Sequence, residues 1–310
     1  LCLPPQRPPA GASGGTQDAS FSDKMKKESN LFLYSGTFLL VIKTVFSASK
    51  IIPYSDFMDT ILAAVGAFCM ILSIIMQRYK VKVLLLYAML IGITVYNALI
   101  TRNNALAATV ITCLAIRKTD FKTYIRYVFR MQSVLVICHT IIAIIGSMIG
   151  IFDITQNIGG ITRYDFGTLH PNSFAALVFN LIIMGIWLNW HKIKTKHIIY
   201  MILGSGILYC FCKTRTNFIA MLVVIGCVYV CRVKHKFVRL IGKIATVIIP
   251  LLSVAMGTAI ILYTTGNGIV LLLNKALNAR IILGAYALAH EGFTLFGQNM
   301  TSLYTETTWD

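Results

Sequence analysis

The chain has 310 residues, of which 57% are hydrophobic and only 13% are charged, and its mean hydropathy is +0.74. This composition excludes a soluble globular domain, which carries about 25% charged residues. The formal net charge of +17 does not indicate a nucleic-acid partner, because the cations fall in small clusters between apolar runs. Lipid is therefore the expected solvent for most of the chain.

The amino-terminal segment, residues 1–24, is rich in Pro, Gly and Ser. It has neither a basic n-region nor an apolar h-region, so it is not a signal peptide. Met25 is followed by two lysines and an apolar run, a pattern typical of a natural start. We expect residues 1–24 to be disordered and to be non-native or upstream sequence.

Nine apolar runs follow in chain order, and each is a candidate transmembrane helix. They lie at about residues 31–47, 57–76, 83–100, 104–116, 132–152, 173–190, 198–212, 217–231 and 244–263. A separate amphipathic segment at 119–130 is expected to lie at the cytoplasmic interface. The predicted fold class is thus all-α and polytopic over residues 25–263. Residues 264–310 are expected to begin a large extracytoplasmic loop.

The distribution of Lys and Arg predicts the orientation of these spans. Positive clusters alternate cleanly if the amino terminus and the loops at 77–82, 117–131, 191–197 and 232–243 face the cytoplasm. Glycines within the spans, at 146, 150, 204 and 206, are expected at close helix contacts. The eight cysteines lie in or beside apolar runs and are expected to be reduced, and we expect no metal site and no cofactor.

Seven cations are then left outside, namely Lys50, Arg102, Arg163, Lys213, Arg215, Lys275 and Arg280. Three external loops draw attention because each presents one arginine: Arg163, Arg215 and Arg280. Arginine near hydrocarbon costs several kcal/mol, so each needs a negative partner. Phospholipid headgroups are one candidate, and an ion pair with Asp153 or Asp165 is another. Three arginines on one face favour an anionic ligand, because the planar guanidinium suits bidentate phosphate binding.

The segments around these arginines resemble motifs of a known superfamily. The run RYDFGTLHPNSFA at 163–175 is similar to the Arg-containing segment before a helix in O-antigen ligases and polysaccharide polymerases. TRT at 214–216 resembles the second short Ser/Thr-Arg motif of that superfamily. NAR at 278–280, with GAYAL and LFGQ downstream, resembles the large external loop of Wzy-type capsular and exopolysaccharide polymerases of Gram-positive type.

This resemblance implies a GT-C-like helical fold and a glycosyltransferase of the bacterial cytoplasmic membrane. Its donor would be a polyprenyl-pyrophosphate-linked oligosaccharide, used in capsule, exopolysaccharide or O-antigen synthesis, with a chain-length regulator and a flippase as further partners. Relatives of this kind return from the large loop through further spans. We therefore expect the sequence to end within that loop, at Asp310, with additional catalytic residues beyond it.

Transfer from a lipid pyrophosphate requires cations for the leaving group and a base for the acceptor hydroxyl. The arginines Arg163, Arg215 and Arg280 are the predicted pyrophosphate ligands. His170, His290, Asp165 and Glu291 are the candidate bases, and His170 is slightly favoured because it shares a loop with Arg163. Asp165 is also expected to orient Arg163. A ligase that moves finished glycan to another acceptor and a multipass flippase or transporter are the alternative functions.

Overall fold

A computed structural model describes residues 14–77, 79–233, 236–277, 280–292 and 294, with side chains from Met25 onward except those of residues 236, 239, 276 and 291. Eleven α-helices and one hairpin of short strands follow one another in this part of the chain. The helices are α1 (Gly14–Phe46), α2 (Asp56–Met76), α3 (Val81–Thr101), α4 (Ala105–Ala115), α5 (Phe121–Met148), α6 (Pro171–Leu188), α7 (Thr195–Cys212), α8 (Arg215–Val233), α9 (Lys236–Thr264), α10 (Gly268–Ala276) and α11 (Arg280–Glu291). The strands β1 (Thr155–Ile158) and β2 (Ile161–Tyr164) lie between α5 and α6.

Eight of the described helices are long and apolar enough to cross a bilayer, namely α1 from Met25, α2, α3, α5, α6, α7, α8 and α9 from Leu240. In these helices large apolar side chains are exposed and several polar side chains are buried, which is the reverse of a soluble protein. Phe57 and Leu99 are 73% and 75% exposed, whereas Ser73 and Gln132 are buried. Lipid makes this arrangement favourable, because an unsatisfied polar group in hydrocarbon costs several kcal/mol. The chain is a multi-pass helical membrane protein, as its composition predicts.

Helix α4 has only 11 residues, which corresponds to about 16 Å of helix. It nevertheless links both ends of α2. At one end the Asn104 amide donates to Asp59 Oδ2 at 3.1 Å, and Asp59 also pairs with Lys43 at 3.0 Å. At the other end Gln77 Nε2 donates to the Ala115 carbonyl at 2.8 Å. Helix α4, the short fourth apolar run, is therefore hydrogen-bonded to α2 at both of its ends.

Helix α5 differs from the prediction of an interfacial helix at 119–130 and a separate span at 132–152. It runs unbroken for 28 residues, or about 42 Å, and ends at Met148. Asp120 caps its first turn by accepting the backbone N–H of Thr123 at 3.0 Å. No Pro or Gly occurs between Phe121 and Ile145, so nothing separates the amphipathic turns from the apolar ones.

The two ends of the chain also differ from expectation. Helix α1 begins at Gly14, so residues 14–24 are helical rather than disordered, and residues 1–13 lie outside the described part of the chain. The predicted loop after 263 contains α10 and α11, which are bent by 118° and together are apolar enough for a broken span or a re-entrant loop. Val270 of α10 and Ile281 of α11 are buried with Ala259 of α9. Residues 295–310 are not described.

The chain divides into two compact units. The first comprises residues up to Thr94, Asn104–Gln156 and Asp165–Leu188, and the second comprises Val95–Asn103, Asn157–Tyr164 and the residues from Asn189 onward. A cluster of buried side chains forms the core of the first unit: Leu33, Met70, Ile74, Tyr87, Ile111, Ala115 and Tyr124. In the second unit α7 packs on α8, and α9 packs on α11.

In the first unit α1 and α2 make a close contact at a pair of glycines. A Cβ on Gly36 would lie 2.6 Å from the Gly66 carbonyl oxygen and 2.9 Å from Met70 Cγ. The four glycines that the sequence predicts at close helix contacts make no such contact between helices in the described part of the chain. A Cβ at Gly150, Gly204 or Gly206 would meet nothing within 4 Å among the described residues, and only Gly146 is confined, by the Phe152 ring.

Gly36→Ala is therefore expected to destabilise the protein by about 1–3 kcal/mol, because a backbone oxygen must move to admit the methyl group. The matched control is Gly92→Ala in α3, where a Cβ has open space. That control is expected to leave stability unchanged or to raise it by a few tenths of a kcal/mol through helix propensity. Thermal unfolding of the detergent-solubilised chain measures both. Equal midpoints for the two variants would contradict the close α1–α2 contact.

Candidate functional site

A polar layer at one end of the first unit joins the α1–α2 connection to the segment that leads into α6. Ser49 and Thr168 form an antiparallel bridge. On either side of it, the Lys50 N–H donates to the Gly167 carbonyl at 2.9 Å and the Leu169 N–H donates to the Ala48 carbonyl at 2.7 Å. Two loops more than a hundred residues apart in sequence are thereby held together as a short ladder.

Asp165 lies at the centre of this layer with none of its side chain exposed. Lys50 Nζ contacts Asp165 Oδ2 at 2.6 Å, and the Gly167 N–H donates to Oδ1 at 2.9 Å. A buried carboxylate is tolerated when it is paired and hydrogen-bonded, as here. Within the described residues the carboxylate of Asp165 bonds to Lys50 and to Gly167, so its role in orienting Arg163 stays a prediction.

His139 of α5 contacts this layer through Ser49. Its Nε2 lies 2.9 Å from Ser49 Oγ, and that oxygen also accepts the N–H groups of Ile51 at 3.2 Å and Ile52 at 3.1 Å. Gly167 has a positive φ of 82°, and a Cβ there would lie 2.7 Å from Cβ of Ala143 and 3.3 Å from the His139 ring. Glycine is therefore required both by the backbone conformation and by the close approach to α5.

His170 caps α6. Its Nδ1 accepts the N–H of Asn172 at 3.1 Å, and its carbonyl accepts the N–H of Ser173 at 2.9 Å. When Nδ1 accepts, the proton of the neutral ring resides on Nε2. In this arrangement Nε2 is a hydrogen-bond donor, so the geometry favours the capping role of His170 over its predicted role as the base.

Asp153 is the second carboxylate that was considered as an arginine partner. Its Oδ1 accepts the N–H and the hydroxyl of Thr155, both at 2.8 Å. The Thr155 N–H, followed by its hydroxyl, lowers the pKa of Asp153 below its ordinary value. Asp153 therefore fixes the entry into the hairpin.

Arg163 belongs to the second unit, on strand β2, which packs against α7. Its chain neighbour Tyr164 meets the Phe211 ring edge-on, with centroids 5.4 Å apart. The Arg163 Nε is buried, and no group in the described part of the chain accepts a hydrogen bond from it. A buried unsatisfied donor costs about 1–3 kcal/mol. This atom therefore indicates a missing acceptor beside β2.

The turn between α7 and α8 lies close to Phe211 in sequence and carries the second arginine. Lys213 takes a left-handed conformation, with φ of 51°, and Thr214 is buried. Arg215 is the exposed first residue of α8, so its charge lies at a helix amino terminus that already favours anions. Arg163 and Arg215 are thus both near the carboxyl end of α7.

Arg280 and His290 lie at the two ends of α11, and both are exposed. Within the described part of the chain no contact connects Arg280 to Arg163 or Arg215, so the convergence of the three arginines stays a prediction. His290 Nδ1 lies 2.9 Å from the Tyr286 carbonyl. A carbonyl oxygen only accepts, so Nδ1 carries a proton and the neutral ring has its lone pair on Nε2, as a base requires. The Glu291 side chain lies outside the described residues.

His139 is the hydrogen-bonded core residue that its place in an apolar run predicts, whereas sequence reasoning missed Lys50 and Ser49 in this layer. Lys50 was counted only as an external cation, and no local motif links it to Asp165. The only sequence signal is a pair of opposite charges that the predicted topology places on the same side of the membrane. Many pairs of residues meet that condition, so the contact could not be selected.

These features define the class of the protein: a multi-pass helical membrane protein with a buried ion-paired layer at one end of its first unit and an arginine on strand β2 in its second. Comparison with protein-family models, with curated proteins and with solved structures gave no match.

Lys50→Ala is expected to destabilise the protein by about 3 kcal/mol, because it leaves a charged carboxylate buried without its partner. The double variant Lys50→Ala, Asp165→Ala should lose less than the sum of the two single variants, since both single variants break the same contact. Thermal unfolding in detergent gives the coupling energy.

The control for this cycle is Asp153→Ala, which removes an exposed carboxylate from the same unit. Its loss should be about 1 kcal/mol, as expected for one local capping interaction. Strict additivity of Lys50→Ala and Asp165→Ala would mean that the ion pair does not hold the layer together.

Proposed function

We propose that the chain is a membrane glycosyltransferase that joins lipid-pyrophosphate-linked oligosaccharide repeat units, as the Wzy-type polymerases that its motifs resemble do. The observation that carries this proposal is the buried Arg163 Nε, which lacks an acceptor among the described residues. A pyrophosphate supplies several charged acceptor oxygens, and a guanidinium binds two of them in one plane. Arg215, at the amino terminus of α8, supplies a second cation close to the end of α7.

The proposed reaction needs cations to stabilise the leaving group and a base to accept the hydroxyl proton. The acceptor sugar hydroxyl attacks the anomeric carbon, the bond from that carbon to the pyrophosphate oxygen breaks, and the lipid pyrophosphate leaves. Arg163 and Arg215 stabilise the charge that develops on this leaving group. The hydroxyl proton goes to a base, for which we choose His290, since its Nε2 lone pair is available and it belongs to the same unit as the arginines.

The proposed location is the outer face of a bacterial cytoplasmic membrane, with the amino terminus inside. The support is the clustering of Lys and Arg in the loops assigned to the cytoplasm. A cysteine placed at Lys194 tests the orientation: an impermeant reagent should not label it in intact cells, and labelling there would reverse every side assignment.

Arg163→Lys and Arg215→Lys are each expected to reduce polymer formation by about 10²-fold, because lysine keeps the charge but not the bidentate geometry. The assay is polymer length in a strain that lacks the gene and is complemented with each variant, at matched membrane abundance. Arg102→Lys, also external and outside the proposed site, is the control and should give wild-type polymer. Wild-type polymer from both site variants would end the pyrophosphate-clamp model.

The same assay separates the two histidines. His290→Ala should reduce transfer by about 10²- to 10⁴-fold, as loss of a general base does. His170→Asn should retain activity, because Asn also caps a helix, whereas His170→Ala should lose about 1 kcal/mol of stability. Full activity in His290→Ala combined with inactivity in His170→Asn would assign the base to His170.

The alternative functions make different products. A strain without a polymerase accumulates single repeats on the lipid carrier, whereas loss of a ligase leaves long unattached chains. Loss of a flippase leaves repeats on the inner face of the membrane. The glycan found in the deletion strain therefore selects among the three functions before any variant is made.

A further inference from the structure

A second candidate site lies inside the membrane part of the first unit, far from the arginines in sequence. It is a cavity of about 190 Å³ between α1, α2, α4 and α5. Thr37, near the middle of the span Met25–Phe46, lines it, which places the cavity at hydrocarbon depth. An apolar protein cavity of roughly 150 Å³ is large enough for benzene. This space therefore accommodates a small organic group with a polar substituent.

The side chains around the cavity set the charge of its ligand. Five of them are polar: Thr37, Thr44, Thr112, Tyr124 and Gln132. The other side chains that the structure places around it are aliphatic or Met, and none is acidic or basic. An ion at this depth without a counter-charge is strongly unfavourable. The ligand is therefore uncharged.

The Gln132 side chain is the feature of this cavity that indicates a ligand. It is 7% exposed and lines the cavity, and among the described residues no hydrogen bond involves its carboxamide. The group offers two donors and one acceptor. Leaving it unsatisfied in hydrocarbon is costly, so a polar partner inside the cavity is expected.

The threonines determine which kind of polar partner fits. Thr37, Thr44 and Thr112 each donate their hydroxyl proton to the carbonyl four residues earlier, at 2.8, 2.8 and 2.7 Å. Thr37 Oγ1 also contacts the Tyr124 hydroxyl at 3.3 Å, and Thr112 Oγ1 contacts Met70 Sδ at 3.2 Å. Each threonine oxygen still has a lone pair that can accept, whereas Gln132 offers donors as well. A ligand that both donates and accepts at one small group satisfies both kinds of partner. A hydroxyl group meets this condition, whereas an ester or ketone oxygen only accepts.

We propose that this cavity binds the hydroxyl end of an uncharged, membrane-dissolved alcohol, with Gln132 as its main hydrogen-bonding partner. The apolar part of the ligand lies against Leu40, Val41, Met70 and Val128, and the alcohol enters from the bilayer. The site is independent of the proposed transfer reaction, because none of the arginines or histidines discussed above lines it.

The test uses the full chain in phosphatidylcholine nanodiscs with two photoreactive probes: octanol carrying a diazirine and octane carrying the same diazirine. Mass spectrometry of the irradiated protein should find the octanol probe on residues lining the cavity at least tenfold more often than the octane probe. Excess 1-octanol should remove this labelling, and excess n-octane should not.

Gln132→Leu keeps the side-chain volume but removes the hydrogen-bonding group, and it should reduce the octanol-probe labelling to the level of the octane probe. Thr140→Val is the control on the same helix, because its hydroxyl bonds to the Val136 carbonyl and it does not line the cavity. It should label as the wild type does. Equal labelling by both probes, labelling confined to other surfaces, or unchanged labelling in Gln132→Leu would each overturn the proposal. The competition in the wild-type chain decides the matter even if Gln132→Leu does not accumulate.

Discussion

The polar end of the first unit depends on one ion pair. Asp165 is completely buried, and a carboxylate is tolerated there because Lys50 pairs with one of its oxygens and the Gly167 N–H donates to the other. The pair fixes the α1–α2 connection against the segment before α6, and the backbone ladder around Ser49 and Thr168 follows from that attachment. The position of His170 at the start of α6 is therefore set by a contact that contains neither an arginine nor a substrate.

The membrane explains why such contacts carry so much of the architecture. Apolar side chains lose little by facing lipid, so helix association there relies on close packing and on polar groups that find partners. The Gly36–Gly66 contact is an example of the first and the Ser29–Ser73 hydrogen bond, at 3.0 Å, of the second. Helix α4 is a further example of the second effect, because hydrogen bonds from Asn104 and Gln77 hold it at its two ends.

The sequence predicts features that depend on neighbouring residues better than contacts between residues far apart in the chain. Apolar runs are local, so the helices and their order were predicted well, and the unbroken α5 was missed because an amphipathic segment was taken as a separate element. The Lys50–Asp165 pair joins residues 115 positions apart, and nothing near either residue marks it. The helical character of α10 and α11 was missed because a resemblance assigned that region to a loop. Gly36 was overlooked since a glycine in contact and a glycine facing lipid, such as Gly204, look alike in sequence.

Hydrogen-bond satisfaction separates structural polar groups from those available to a ligand. Asp165, Ser49, Asp120 and the Nδ1 of His170 all have protein partners, so their chemistry is used within the fold. Within the described residues the Arg163 Nε and the Gln132 carboxamide are without partners, and they differ in charge. The guanidinium of Arg163 favours an anionic ligand. The neutral amide of Gln132, at hydrocarbon depth, favours an uncharged ligand. The two sites proposed for this chain are therefore chemically distinct, and neither one explains the unsatisfied group of the other.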